Sequence, residues 1–324
     1  MSKGFVVVSL LLTGVERWFE IGQRPSDIAL AAQRLRAVLA SIDPKDPFRL
    51  VLLDPDDRVR AKVGGYVTRS GRLRLWAVRH APGENRTTRA QLTRLLVQAC
   101  LERSRANPRV RFVECCPAFD TPDRANLEAA IHEAGLRLVA SAHNYERTLP
   151  LGRPPALPAG VTLATCASGS AALEQLFAEV NAFTLDRLEQ DQALSTQETL
   201  LELREQAGGS ADSDLWQLAL ANGAPAGYVL CGFTPAVEGQ PAEGEILEIG
   251  VIPSQRRRGL AQALLGAALT QLTARGAATA TAMIDDVNLP SIRLHERLGF
   301  TREEGDYCTW RLHLRRSASV LNDN

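Results

Sequence analysis

The sequence predicts an α/β (α+β) protein built from two tandem domains of similar element order. The chain has 324 residues, which corresponds to about two domains of roughly 150 residues each. A proline-rich segment, Pro150 to Pro158, divides it near its middle. Strand and helix patterns follow one another in a similar order on both sides of that segment. The predicted boundaries are 1–150 for the first domain, 151–159 for the linker, 160–316 for the second domain and 317–324 for a tail.

The first half begins with an apolar run from Phe5 to Leu12. This run is too short to cross a bilayer and lacks a small-x-small cleavage site, so it predicts a strand or a buried segment rather than a signal peptide. An apolar helical period then predicts a helix over residues 27–41. The remaining predicted elements are strands at 49–53, 61–68 and 72–78, a helix at 88–105, a strand at 110–116, a helix at 124–133 and a strand pair ending at Leu149.

The second half repeats this order, and the tripeptide Gly-Tyr-Val occurs in both halves, at residues 65–67 and 227–229. Its predicted elements are a strand at 161–166, helices at 171–181 and 196–207, strands at 215–221, 226–233 and 243–252, a helix at 260–275, a strand at 277–284 and a helix at 291–298.

Composition predicts a globular protein that binds neither nucleic acid nor membrane. Hydrophobic residues make up 45% of the chain, charged residues 23%, and the formal net charge is zero. Six cysteines show neither metal-ligand spacing nor a small-domain disulfide pattern, which indicates reduced core residues and a cytoplasmic location. Asp285 and Asp286 resemble a metal pair, but such residues in a turn before a helix more often cap it, so no metal is expected.

The residue types that carry chemistry concentrate in a basic loop of the second half. An apolar strand pattern ends at Pro253, and Gln255 to Ala261 then lead directly into a helical pattern. A loop in this position gathers backbone N–H groups at the positive end of a helix, which favours an anion. Gly259 leaves room for a diphosphate, and three arginines add charge. The alternative is a solvated basic turn that only caps the helix.

Two segments of the second half resemble the GNAT superfamily of N-acetyltransferases, in its tandem two-domain form. Arg256-x-x-Gly259-x-Ala261 is similar to the acyl-CoA pyrophosphate signature of that family. Asn288 to Phe300 resembles the second signature, an Asn followed by a helix that ends in Tyr-Glu-x-Leu-Gly-Phe, with His295 at the tyrosine position. The resemblance implies that each domain is a mixed, mostly antiparallel twisted sheet flanked by helices.

The first half departs from both signatures. Its corresponding loop, residues 81–89, lacks the arginine-to-glycine spacing. Ile131 stands in the place of His295, and Arg124 stands in the place of Asn288. We therefore expect acyl-donor binding and chemistry in the second domain alone, with the first domain structural or acceptor-shaping.

The resemblance implies acetyl-CoA as co-substrate, direct attack by an amine on the thioester, and no metal. A monomer is expected, because two such domains in one chain can satisfy internally the pairing that single-domain relatives often make as dimers. The residues expected to hold acetyl-CoA are Gly250, Val251, Ile252, Arg256, Arg257, Arg258, Gly259, Leu260, Ala261, Asn288 and Ser291.

Direct attack needs a base for the ammonium and an acid for the thiolate. Glu245 lies at the strand position where several family members carry their base, although it is equally an ordinary polar residue facing solvent. Strand alternation places its competitor Glu248 on the opposite face. His295 is expected to act as the acid in place of tyrosine, with packing beside the cofactor as the alternative.

The acceptor is expected to be a small-molecule amine or an amino-terminal group. Eight acidic residues on the helices over 171–207 suggest a cationic acceptor, but they equally fit solvated helix faces. A non-catalytic acyl-CoA-binding or interaction protein is the alternative to an enzyme. A nucleotide phosphate loop is less favoured, because the Gly-Lys-Ser/Thr ending is absent.

Overall fold

The computed structural model describes residues 6–9, 47–75, 78–117, 120–121, 123–167, 169–191, 194–207, 215–237 and 240–314. The predicted helix over 27–41 and the predicted tail 317–324 lie outside the described residues.

Fourteen strands and seven α-helices are formed by the described residues. The strands are β1 Val6–Ser9, β2 Pro47–Leu53, β3 Val59–Val67, β4 Arg72–Leu75, β5 Arg79–His80, β6 Phe112–Cys115, β7 Arg137–Thr148, β8 Val161–Thr165, β9 Trp216–Ala221, β10 Ala224–Thr234, β11 Glu243–Val251, β12 Thr279–Asp285, β13 Thr301–Arg302 and β14 Tyr307–His313. The helices are α1 Arg86–Ala106, α2 Arg124–Glu133, α3 Ala171–Asn181, α4 Arg187–Gln190, α5 Thr196–Gln206, α6 Leu260–Ala274 and α7 Leu289–Arg297.

The chain folds into two compact units whose limits differ from the predicted domain boundaries. One unit contains the described residues up to Val139 and those from Tyr307 onward, and the other is Ala140–Asp306. The difference arises because a strand near each boundary pairs with a strand from the other half of the sequence. β14 follows the second half in sequence but pairs with β6 of the first unit, and β7 pairs with β12 of the second unit from Ala142 onward.

Each unit contains a mixed sheet of the same plan. Among the described strands of the first unit the order is β1-β2-β3-β4-β6-β14, and only the pair β4–β6 is parallel. Among those of the second unit the order is β8-β9-β10-β11-β12-β7, and only the pair β11–β12 is parallel. The predicted fold class, tandem mixed and mostly antiparallel sheets flanked by helices, is therefore confirmed.

In the second unit, α3 and α6 cover opposite faces of the sheet. A Cβ on Gly244 would approach the side chain of Leu272 of α6, whereas a Cβ on Gly250 would approach Val180 of α3. The buried residues of α3 follow the helical period, at positions 173, 176, 177 and 180. Small residues on β11 thus let both helices pack closely on the strand that carries the candidate site.

Two sequence predictions need correction. The strand pair expected to end at Leu149 is a single strand, β7, because its long antiparallel pairing with β12 extends from Ala142 to Thr148. The helix α4 and the strands β5 and β13 were not predicted, because segments of two to four residues carry little periodic signal. The strand β14 was also not predicted.

Candidate functional site

The basic loop connects β11 to α6 through two residues in the left-handed backbone region. Arg257 has φ of 65° and Gly259 has φ of 80°. α6 starts at Leu260 with no side chain capping its first turn, so the backbone N–H groups of that turn point outward without an intrahelical partner. A Cβ on Gly259 would meet no atom within 4 Å. The loop therefore presents an open, positively polarised helix end, as predicted.

Arginine side chains line this helix end and a neighbouring pocket. Residues 256–259 are exposed, and Nε of Arg256 donates to the backbone oxygen of Val251 at 2.9 Å, which ties the loop to the end of β11. Beside the first turn of α6 lies an open pocket of about 590 Å³ whose lining includes Gln262, Arg147, Arg153 and Arg297. This part of the second unit is suited to a ligand with several negative charges.

The parallel strands β11 and β12 separate immediately after their first three residue pairs. Glu243–Glu245 pair with Thr279–Thr281, and no pairing continues beyond them. A cavity of about 80 Å³ lies where the strands diverge, lined by residues 246–249 of β11 and 282–284 of β12. Asn288, Ser291 and His295 line it from α7, so the residues of the second signature meet the diverging strands.

A β-bulge in β11 places Glu245 and Glu248 on the same face of the sheet. Glu245 lies opposite Gly232 and Glu248 opposite Leu230, although the two glutamates are three residues apart. Because positions 230 and 232 of β10 share a face, so do their partners. The expectation that Glu248 faces away from Glu245 is therefore wrong, and one extra residue in β11 is the reason.

The two glutamates have different surroundings. The Glu245 carboxylate accepts a hydrogen bond from Nε2 of Gln206 at 3.0 Å, and burial raises its pKa. Glu248 lines the cavity. Burial raises the pKa of Glu248 well above its ordinary value, and the nearby carboxylates of Glu189 and Asp186 raise it further. Both side chains are partly buried.

His295 is neutral at pH 7 and carries its proton on Nδ1. Nδ1 lies 2.8 Å from the backbone oxygen of Ser291, and a carbonyl can only accept, so Nδ1–H is the donor. Nε2 therefore holds a lone pair, and it has no hydrogen-bond partner among the described residues. The side chain is 1% exposed, and this burial lowers its pKa to about 4. An imidazole in this state is a poor proton donor, so the geometry does not support the expected acid role.

Tyr228 is a site residue that the sequence analysis did not identify. It lines the same cavity from β10 and is 0% exposed, and its hydroxyl has no hydrogen-bond partner in the part of the chain that the structure describes. Its ring stacks on Phe177 of α3 at 5.4 Å between centroids. Burial raises the pKa of the phenol, so it stays protonated. The only signal in the sequence was the repeated Gly-Tyr-Val tripeptide, which indicated duplication rather than a site.

Asp285 and Asp286 bind an arginine rather than forming a metal pair. Nη2 of Arg187 lies 2.7 Å from Asp285 and 2.5 Å from Asp286, which joins α4 to the end of β12. Asp285 also accepts from the backbone N–H of Val287. Within the described ranges, no three His, Cys, Asp or Glu side chains are grouped to hold a metal ion. None of the helices described here has the length and apolarity to cross a membrane.

Part of the second unit is similar to a known protein family. Residues 179–300 match the model of the acetyltransferase (GNAT) family. Among curated relatives, the chain is 43% identical over 63 residues to the mycothiol acetyltransferase of Streptosporangium roseum, covering 19% of each protein. It is 29% identical over 185 residues to that of Actinosynnema mirum, covering 57% of this chain and 59% of the relative. The matched segments thus span about a fifth to three fifths of these relatives.

Solved structures extend the similarity of fold to both units. A GCN5-related N-acetyltransferase from Sphaerobacter thermophilus superposes with a TM-score of 0.60 at 18% identity, covering 98% of each chain. A tandem GNAT protein from the clavulanic acid biosynthesis pathway gives a TM-score of 0.56 at 16% identity, covering 97% of this chain and 99% of that one. The loop, the diverging strands and the cavity all lie within residues 179–300, the part of the second unit that is similar to the acetyltransferase (GNAT) family.

Proposed function

We propose that this chain is an N-acetyltransferase whose second unit transfers the acetyl group of acetyl-CoA to an amine. The observation that carries this proposal is the uncapped N-terminus of α6, which opens at Gly259 beside the diverging strands β11 and β12. The name of the curated relatives favours a small-molecule acceptor.

The residues around α6 fit the charged part of acetyl-CoA. A diphosphate can approach the backbone at Gly259 without meeting a side chain, and the N–H groups of the first turn of α6 can donate to it. The arginine-lined pocket beside Gln262 supplies charge for further phosphate. The residues proposed to hold the co-substrate are those expected from the sequence: Gly250, Val251, Ile252, Arg256, Arg257, Arg258, Gly259, Leu260, Ala261, Asn288 and Ser291.

The members of that set are proposed to contribute in different ways. The N–H of Ile252 already donates to Ala226 at 3.0 Å, so Ile252 would contact the co-substrate through its side chain only. The side chain of Asn288 accepts from the N–H of Ser291 and starts α7. We propose that Asn288 and Ser291 act by shaping the cavity wall that carries His295.

The thioester supplies an activated acetyl group, and the chain must remove a proton from the attacking ammonium. We propose Glu245 as the base, since burial raises its pKa toward neutrality and Gln206 orients its carboxylate. His295 was expected to protonate the thiolate. Its Nε2 lone pair supports the role of a hydrogen-bond acceptor in the cavity instead.

Release of free CoA in the presence of a panel of amines tests this function. We expect amine-dependent release by the intact chain and calorimetric binding of one acetyl-CoA per chain. Binding without release for any amine would favour the non-catalytic acyl-CoA-binding alternative, which the absence of a tyrosine at position 295 favours. Two equivalent binding sites per chain would contradict the assignment to the second unit.

A further inference from the structure

The helix α4 and the residues just before it form one wall of the cavity beside β11 and β12. Thr184 and Asp186 line the cavity from this segment. The helix is four residues long and none of its side chains is buried. A helix of a single turn is not stable by itself, because its hydrogen bonds do not offset the cost of ordering the backbone. The position of this wall must therefore be set by specific polar contacts.

Arg187 supplies such contacts at the first position of α4. Its Nε lies 3.0 Å from Oδ2 of Asp285 and its Nη2 lies 2.7 Å from Oδ1, so the guanidinium and the carboxylate form a bidentate pair. The backbone N–H of Arg187 donates to the same carboxylate at 2.9 Å. Nη2 also donates to the backbone oxygen of Ser141 at 3.1 Å. The start of α4 is thereby fixed to β12 and to β7.

Asp285 also sets the start of a second wall of the cavity. Its side chain accepts from the N–H of Val287 at 3.1 Å, and its backbone oxygen accepts from the N–H of Asn288 at 2.9 Å. Asn288 is the N-cap of α7, the helix that places Ser291 and His295 at the cavity. One aspartate therefore fixes the position of α4 and the first turn of α7 together.

Burial and planarity make this contact a rigid one. Asp285 is 2% exposed, and a buried carboxylate needs its ionic partner far more than an exposed one does. The guanidinium of Arg187 holds its N–H donors in one plane, and Nη2 lies 2.5 Å from Asp286 as well. A planar group that bonds to several acceptors fixes an angle as well as a distance. The orientation of α4 relative to β12 is therefore set by this one side chain.

We propose that Arg187 and Asp285 are positioning residues for acetyl transfer, which hold residues 184–190 in place so that an acceptor meets a preformed wall. This inference rests on the proposed acetyltransferase function. Neither residue lines the cavity, so both act through the segments that they join. A displacement of about 1 Å at a site can lower a rate by about a hundredfold. The effect of losing the pair is therefore expected in turnover.

Steady-state kinetics of Arg187→Gln, with the best amine of the CoA-release panel, test this role. We expect kcat/KM for the amine to fall by about tenfold or more. Calorimetric affinity for acetyl-CoA should stay within about threefold, because the loop at residues 255–261 makes no contact with the pair. Arg187→Lys keeps the charge but not the planar group, so it should recover part of the lost activity. Circular dichroism confirms that each variant is folded in the assay.

A double-mutant cycle shows whether the two residues act as a unit. Asp285→Asn keeps an oxygen for the N–H of Val287 but removes the charge that pairs with Arg187. If the pair acts as a unit, Arg187→Gln combined with Asp285→Asn should lower kcat/KM no further than the more damaging single change. Fully additive losses would overturn the inference.

Arg94→Gln is the matched control. Arg94 forms a similar bidentate pair with Glu133 in the first unit, at 2.8 Å and 3.1 Å, and both side chains are about half exposed. Exposed pairs contribute little, and this one is remote in sequence from the cavity residues. Its loss should leave kcat/KM within about twofold. A fall equal to that of Arg187→Gln would contradict a positioning role.

Hydrogen exchange measured by mass spectrometry separates this inference from the proposed function, because it needs no turnover. Exchange over residues 184–191 should be faster in Arg187→Gln than in wild type, and unchanged in Arg94→Gln. If no amine releases CoA, acetyl transfer is refuted, while faster exchange still shows that Arg187 anchors α4. If amines release CoA and Arg187→Gln leaves kcat/KM unchanged, the positioning role is refuted, whatever the exchange, while acetyl transfer stands.

Discussion

The protonation state of His295 decides whether its imidazole can donate a proton at pH 7, and His295→Asn tests that state. An asparagine keeps a donor near the position of Nδ1, so it can preserve the bond to the Ser291 oxygen, but it does not titrate. Any pH-dependent difference in stability between the two proteins then reports the titration of His295.

The size of the effect follows from the two pKa values. Burial lowers the pKa of folded His295 to about 4 from an ordinary 6.5. Between these values the unfolded chain binds a proton that the folded chain excludes, so the free energy of unfolding falls as the pH falls. The full gap corresponds to about 3 kcal/mol, and about 2 kcal/mol of this is lost between pH 7.5 and pH 5.

Urea unfolding followed by circular dichroism at pH 7.5, 6 and 5 measures this loss. We expect wild type to lose about 2 kcal/mol more than His295→Asn over that range. His80, whose pKa is also lowered by burial, titrates in both proteins and cancels in the difference. Parallel pH profiles would show that His295 titrates normally, and would restore the acid role expected from the sequence.

Four further outcomes are expected. Gly259→Glu should abolish acetyl-CoA binding, because it places a carboxylate at the open end of α6. The control Gly83→Glu, at a glycine with φ of 85° and equal open space, should leave acetyl-CoA binding unchanged. Micromolar acetyl-CoA binding by a folded Gly259→Glu protein would contradict this expectation. Glu248→Gln should raise the free energy of unfolding at pH 8 but not at pH 4, because the pKa of Glu248 is raised in the folded state and ionisation therefore favours the unfolded chain as the pH rises above the ordinary carboxyl pKa. Equal gains at both pH values would count against the burial argument. Arg187→Ala should cost about 2–3 kcal/mol in chemical denaturation, since it leaves the carboxylate of Asp285, 2% exposed, without its partner, and adding Asp285→Asn should recover part of that loss. Light scattering should give a mass near 35.2 kDa for a monomer, and a mass about twice that would refute the expected oligomeric state.

The sequence by itself determined the features that depend on neighbours along the chain. The basic loop is contiguous: a proline stops β11, a glycine adopts the left-handed conformation, and α6 begins directly after it. Its role as an open helix end follows from local backbone chemistry, and the structure confirms it. The bounds of α1, α3 and α6 also agree closely with the prediction, because their apolar periods are long enough to specify a helix.

The residues that line the cavity could not be identified from local sequence patterns. A single extra residue in β11 turns Glu248 toward the face of Glu245. The alternation of residues along β11 cannot reveal this bulge, because it is defined by the pairing of β11 with β10, which is distant in sequence. Of eight acidic residues on the helices before the core strands, only Asp186 lines the cavity, and only tertiary packing selects it.

Local sequence patterns could also not identify Tyr228 as a site residue, the protonation state of His295, or the pairing of β7 with β12 and of β14 with β6. Each depends on atoms that are distant in sequence. Phe177 stacks on the ring of Tyr228, and packing around α7 removes water from the imidazole of His295. Local pattern specifies which segments form helices and strands. Burial and hydrogen-bond satisfaction are properties of the packed whole, and they decide which polar atoms are left facing a ligand.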